Sequence, residues 1–352
     1  MALSFLSKPK NQFSPDINAK VIGLFAGCGG LDLGFKQAGF EIVYANDFDP
    51  GVKETYEFNL GPIEINDISL VDKSKLPDCD ILLAGIPCQP FSNAGNRKST
   101  NDHRGNVFSE VMFVLRVKKP KVVVFENVRG FLSSKDDHGE LMPIRLTKEL
   151  SKLKYKTFYK LMNAADYEVP QNRHRVFIIG IRDDIDCNYQ FPEPIESIHE
   201  LDVGSVLKKP LPKDEPVEIW DLSPQSKEMA KYIPAGGSWK DIPDKRLPDR
   251  LKKIRNNLKF YHSPNFYRRF DSHEIMGTIT AAGTPENSGI LHPFEDRRYS
   301  VREIARFQSF PDSFKFLGTS IPKKYKMIGN AVPVRLAFHI ALSIREQIDF
   351  SE

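Results

Sequence analysis

Residues 21–32 read Val21-Ile22-Gly23-Leu24-Phe25-Ala26-Gly27-Cys28-Gly29-Gly30-Leu31-Asp32. A short apolar run gives way to a glycine-rich turn, and an amphipathic stretch follows over 31–38. A strand that breaks into glycines and enters a helix is a building unit of a parallel α/β sheet. Glycines at such a turn let the backbone approach a nucleotide-like ligand closely. A plain tight turn has the same composition, so the glycines alone do not decide. The spacing departs from GxGxxG, because Asp32 stands where the third glycine belongs. This argues against a dinucleotide pyrophosphate and for another adenosine-bearing ligand.

The same alternation continues outward. Further strand candidates lie at 42–45, 81–84, 122–125, 157–161 and 176–181, with helical stretches at 51–59, 106–116 and 141–153 between them. The pattern predicts an α/β fold with a mostly parallel, doubly wound sheet, whose ligands sit at the carboxyl ends of the strands. The second strand runs into Asn46-Asp47-Phe48, where an acid can hold ribose hydroxyls. Asp67 follows in Asn66-Asp67-Ile68. Residues 1–18 read as a loose leader and 19–189 as the first domain. A Pro-rich, irregular second domain covers 190–300, and 301–352 returns to the first with helical patterns at 302–307 and 334–348.

Bulk properties narrow the classes. The chain has 352 residues, 40% of them hydrophobic and 27% charged, as in ordinary globular proteins. Its apolar runs are strand-sized, so no bilayer-spanning segment is expected. No signal peptide is apparent. Cys28, Cys79, Cys88 and Cys187 form no CxxC pair, which argues against a disulfide framework or structural zinc and points to a reducing, cytoplasmic setting without a metal. Net charge is only +4, but 245–270 holds nine basic residues against one acid, Asp249. Charge runs are usually solvated faces; this one also suits a polyanion.

Three further stretches carry chemistry. Cys88 stands in Gly85-Ile86-Pro87-Cys88-Gln89-Pro90, directly after a buried-strand pattern. A lone cysteine is more often a small core residue, but prolines holding the loop extended favour a nucleophile. Glu126 ends the apolar run 122–125, where desolvation can equip a carboxyl to donate a proton. Gln171-Asn172-Arg173-His174-Arg175 opens the strand pattern at 176, and alternation places Arg173 and Arg175 on one face, as guanidinium donors to a carbonyl or phosphate.

Together these blocks resemble the DNA (cytosine-5)-methyltransferases. Phe25-Ala26-Gly27-Cys28-Gly29-Gly30, Pro87-Cys88-Gln89, Glu126-Asn127-Val128, Gln171–Arg175, Arg302–Pro311 and Gly329-Asn330-Ala331-Val332-Pro333 occur in that family's order. The resemblance covers about 20–345 and implies a Rossmann-like methyltransferase using S-adenosylmethionine, with S-adenosylhomocysteine as product. It makes Cys88 the nucleophile toward cytosine C6, Glu126 the partner of N3, Arg175 the partner of O2, and Arg173 a support. Phe25, Gly27, Gly29, Leu31, Asp47, Phe48, Asp67, Ile68, Pro87, Asn330 and Val332 would hold the cofactor. The irregular domain would recognise double-stranded DNA. Ser92, Arg97, Lys98 and Arg104 would contact DNA from the loop after Cys88, and Arg268 and Arg269 from the second domain, one of them at a guanine edge. A prokaryotic enzyme acting as a monomer and paired with a restriction endonuclease is the expectation. Two alternatives stand beside it: a transfer-RNA methylase, disfavoured because no cysteine follows Cys187, and a silent DNA-binding homologue, disfavoured by the intact Cys88, Glu126 and Arg175.

Overall fold

The computed structural model describes residues 17–86, 107–136, 138–195, 200–256 and 265–351. Seven strands form one sheet: β1 (Lys20–Leu24), β2 (Glu41–Asp47), β3 (Glu64–Ile65), β4 (Ile81–Gly85), β5 (Val122–Val128), β6 (Tyr155–Asn163) and β7 (His174–Arg182). Their order is β3-β2-β1-β4-β5-β7-β6. The first five are parallel, and β7 runs antiparallel to both β5 and β6. The sheet is therefore mostly parallel, as the alternation predicts. The reversed strand escapes sequence reading because a period of two gives a strand's faces and not its direction.

Helices cover both faces. Ile22, Leu24, Leu82, Ala84, Val123, Phe125, Val176 and Ile178 pack in one cluster with Phe108, Val111 and Leu115 of α3 (Val107–Lys118) and Leu146 and Leu150 of α4 (Met142–Lys152). The intervening residues face the other way. There Gly23 lies under α1 (Gly30–Gln37), with space for no side chain: a Cβ would sit 2.5 Å from an Asp32 carboxylate oxygen. The helix α1 packs in turn on α10 (Val334–Gln347). The inner strands β4 and β5 are buried almost throughout, which explains their unbroken apolar sequence.

The chain divides into two compact units. One carries the whole sheet: the described parts of Lys10–Asn163, with His174–Pro194 and Val332–Glu352. It also holds α2 (Lys53–Asn59). The other comprises Ala164–Arg173 and Ile195–Ala331. Among the described residues it holds α5 (Val203–Lys208), α6 (Pro224–Ala230), α7 (Asp249–Arg255), α8 (Val301–Phe307) and α9 (Ile321–Asn330). Its core includes Met229, Ile233, Trp239, Leu251, Phe266 and Leu291. This partition differs from a break at 190 and 300. Segment 164–173 groups with the second unit because Gln171 and Arg173 bond to its backbone, and 301–331 does so because Arg302 and Arg306 of α8 are anchored at Glu215, Lys209 and Pro210.

The sequence suggests no stretch long enough to cross a membrane, yet Ile321–Gln347 passes that test by length and composition. Its most apolar stretch of 18 residues is 78% buried within the protein, and α9 ends at Asn330 before α10 starts after Pro333. These are core helices.

The contact of α1 with α10 depends on Gly34. A Cβ there would lie 2.4 Å from the Cβ of Ala337 and 2.7 Å from the backbone nitrogen of Phe338. Backbone on the facing helix cannot yield as a side-chain tip can. Gly34→Ala is expected to destabilise the protein by about 1–3 kcal/mol, read as a lower urea midpoint with an unchanged slope. An unchanged midpoint would show that the two helices part without cost.

Candidate active site

The glycine turn is built by strand ends. Phe25, Gly27 and Gly29 all have positive φ (56°, 55° and 89°). The Ala26 N–H donates to Asn46 O at 3.0 Å and the Gly27 N–H to Asp47 Oδ2 at 2.8 Å. The other Asp47 oxygen accepts from the Asp49 N–H at 2.8 Å. Asp47 thus ties the end of β1 to the end of β2, and burial raises its carboxyl above the ordinary range. A side chain at Gly27 would meet nothing within 4 Å, so the turn presents bare backbone. Gly29 faces inward instead, against Leu60 and Tyr56.

These features fit an adenosine-bearing cofactor. The open backbone at Gly27 gives close approach, and Phe48, next to Asp47, is 70% exposed and offers a stacking surface. Asp67 is exposed and uses one oxygen to accept from the Ser69 N–H at 2.8 Å. Ile68 is otherwise employed, in the core cluster beneath α3. Leu31 is buried in the first turn of α1. In its own unit Asn330 is the exposed last residue of α9, and in the other Val332 is buried. Pro87 lies outside the described residues.

Sequence reading passed over Asp32. Its carboxylate is buried and accepts from the Tyr56 hydroxyl at 2.5 Å. Burial lifts it to about 6, with nearby Asp47 raising it further and Tyr56 opposing. The signal was available: an acid in the apolar period of α1 needs a partner.

The second cluster joins β5 to β7. Their register sets Glu126 opposite Phe177 and Val128 opposite Arg175, so Glu126 and Arg175 project from one face as diagonal neighbours. Arg175 Nε lies 2.7 Å from Glu126 Oε1, and both side chains are nine-tenths buried. Arg175 also donates to His174 O at 2.8 Å. On the other side of β5, Gly85 of β4 pairs with Glu126, and Asn127 Nδ2 donates to Ile86 O at 3.2 Å. The strand that leads to Cys88 is thereby pinned beside Glu126. Cys88 itself lies outside the described residues. Two other cysteines are disqualified as nucleophiles, since burial pushes both Cys28 and Cys79 up to about 12. A carboxylate held by a fixed guanidinium can share a proton with a ring nitrogen while the guanidinium holds a carbonyl oxygen.

Other expected residues serve differently. Arg173 precedes β7 and does not alternate with Arg175 as a strand residue. Fully buried, it donates to Ile279 O at 2.6 Å, Gly329 O at 2.7 Å and Ala331 O at 3.1 Å, and so fixes the backbone on both sides of Asn330. Arg269 is not placed to read a base. Its guanidinium donates to His292 O, Glu295 O and Ala230 O and pairs with Asp296 at 2.7 Å. Arg268 is engaged by Gly236 O, Gly237 O and Glu274, over the Phe270 ring. Arg255, from the basic run, binds Lys240 O and Ile242 O and pairs with Asp244. Ser92, Arg97, Lys98 and Arg104 lie outside the described residues. Among the described residues no group of three or more His, Cys, Asp or Glu side chains could hold a metal ion.

A mostly parallel, doubly wound sheet with an open glycine turn and a paired Glu and Arg at its strand ends defines a Rossmann-like methyltransferase fold. The chain belongs to the C-5 cytosine-specific DNA methylases, whose family model matches residues 19–346. It is 35% identical to the Type II methyltransferase M.FnuDI of Fusobacterium nucleatum over 95% of this chain and 96% of that one. It is 33% identical to M.HhaI of Haemophilus parahaemolyticus over 94% and 95%. The crystal structure of the S. pombe Dnmt2 methyltransferase shares the fold, with a TM-score of 0.61 at 20% identity, over 94% of this chain and 99% of that one.

Asp32 yields a test of the site's foundation. Its folded value near 6 lies above the unfolded value of about 3.9. The folded state therefore binds the proton more tightly, and stability falls as pH rises from about 4 to 6. Asp32→Asn, which keeps an acceptor for Tyr56, should gain on the wild type across that window by on the order of 1–3 kcal/mol. Chemical denaturation at pH 4, 5, 6 and 7 measures it; a pH-independent difference contradicts the assignment.

Proposed function

We propose that this enzyme methylates C5 of a cytosine flipped out of a short, specific duplex DNA site, through a covalent bond between Cys88 and C6, and that it protects host DNA in a restriction-modification system. The observation that carries the proposal is the Glu126–Arg175 pair, 2.7 Å apart, beside the strand end that leads to Cys88.

The chemistry follows from what cytosine lacks. Its C5 is a poor nucleophile until a thiolate adds to C6. The Cys88 sulfur forms that bond, and the displaced electron pair moves into the ring. Glu126 supplies a proton at N3 to neutralise it, while Arg175 holds O2. S-adenosylmethionine, when bound, supplies the electrophilic methyl group that the activated C5 accepts. The C5 proton then leaves to solvent, the C6–S bond breaks with its pair returning to sulfur, and N3 gives its proton back to Glu126. Extruding the base costs a few kcal/mol, which contacts to the phosphate backbone offset. Asp47 would take the ribose and Phe48 and Asp67 the adenine of the cofactor.

Cys88→Ala should transfer no methyl group yet bind S-adenosylmethionine as the wild type does, as measured by calorimetry. A substantially active Cys88→Ala protein refutes the covalent route. Glu126→Gln should slow transfer by about 10²–10⁴-fold with nearly unchanged duplex affinity.

The site sequence is open to direct mapping. Bisulfite sequencing of a plasmid from cells expressing the enzyme should place 5-methylcytosine in one short recurring motif. Scattered methylation, or label from the cofactor appearing in transfer RNA alone, would overturn the specific-duplex reading.

A further inference from the structure

Eight described arginines of the second unit lie wholly or partly out of solvent, and seven of them, Arg255 included, bind acceptors of the protein. Arg173 and Arg269 hold carbonyls, and Arg268 adds Glu274. Arg297 spans Glu295 and Glu303, Arg302 grips Glu215 and two carbonyls, and Arg306 does the same with Asp312.

Arg298 is the exception. It is 5% exposed, yet its Nε and Nη1 are enclosed without a hydrogen-bond acceptor among the described residues. Its guanidinium carbon stacks 4.0 Å from the centre of the Trp220 ring, whose other contact is the edge of Tyr325 at 5.8 Å. Glu286 and Asp221 are near enough to attract it but form no ion pair with it, and Glu286 is engaged by the Tyr267 hydroxyl at 2.7 Å. Burial pulls this guanidinium below its ordinary value, the reverse of the paired Arg297. An enclosed cation without a counter-ion is costly unless something outside the chain completes it. Trp220 is only partly covered, so the stack reaches the surface of its unit.

We propose that Arg298, held flat on Trp220, is a docking point for a phosphate of the DNA backbone. The proposal rests on the duplex-DNA reading above. With Nε and Nη1 enclosed, Nη2 is its outward nitrogen. One donor suits a point contact with a phosphate oxygen, whereas a guanine edge is read by a bidentate pair. The stacked ring takes the place of an internal acceptor, leaving the charge for the ligand. A cation for DNA is thus supplied by Arg298 within the second unit, where Arg268 and Arg269 are occupied by the protein, and composition does not distinguish it from its neighbours.

The test uses the full chain with a duplex carrying the mapped site and with an unrelated duplex that lacks it. Wild type, Arg298→Met and Arg298→Gln are compared in melting temperature without DNA and in duplex affinity across a salt series. Removing an unpaired buried cation should leave the melting temperature unchanged or raise it. Affinity should fall by about tenfold on all sequences alike, with the log–log salt slope shallower by about 0.9. Binding of S-adenosylhomocysteine should not change. A lower melting temperature with an unchanged slope in either folded variant makes Arg298 a structural residue and overturns the proposal. A loss confined to the cognate site overturns it in favour of base reading. Failure of the wild type to bind duplex DNA at all defeats the functional reading itself, and is told apart because it needs no variant.

Discussion

Glu126 and Arg175 can meet only because β7 runs against β5. Parallel strands deliver their carboxyl ends to one edge of the sheet, and β1, β4 and β5 do so with the glycine turn, the segment leading to Cys88, and Glu126. A parallel seventh strand would have brought its last residues there and left Arg175 at the far edge. Reversal brings its beginning to that edge instead. The positive partner of the site is thus a matter of strand direction, and the antiparallel register fixes its distance from the acid to a single diagonal step.

Within the sheet, acids brace the site from below. Asp47 bonds the backbone of both strand ends it connects, and Asp32 holds Tyr56. Both carboxylates are buried and both are raised by that burial, so the cofactor turn stands over charge that is expensive to keep. The second unit solves a different problem. It has little regular structure, and its irregular backbone leaves carbonyls without ladder partners. Arginines fill that need: Arg173, Arg269, Arg302 and Arg306 each hold two or more carbonyls, tying segments up to 158 positions apart.

Much of the sheet was legible because hydrophobic runs mark buried strands whatever their surroundings. Six of the seven strands stand where the periodicity sets them, and the glycine turn and Asp47 fall at strand ends as foreseen, while β5 runs two residues past Glu126. The two-residue β3 was not foreseen, since it is too short to show a period, nor was α9, whose sequence Ile321–Asn330 carries a mixed polar pattern. Partners of arginine were the least legible part. A carbonyl acceptor leaves no trace in composition, so Arg269 in a basic run looked free to face DNA when it is closed into the unit by three carbonyls and an aspartate. Asp32 was read only as a break in the glycine spacing, and its bond to Tyr56 comes from packing that spacing does not show.

The way the two units share the chain bears on whether one could be exchanged for another. The backbone passes from one unit to the other between Asn163 and Ala164, Arg173 and His174, Pro194 and Ile195, and Ala331 and Val332. The larger part of the second unit is one uninterrupted insertion, which a single recombination event could exchange as a cassette. The ten residues Ala164–Arg173 would stay behind with the recipient. An incoming cassette must therefore offer backbone that the resident Gln171 and Arg173 can still grasp, at Phe307, Ile279, Gly329 and Ala331 here. Exchange of the second unit is in this sense conditional on a compatibility element outside the exchanged piece.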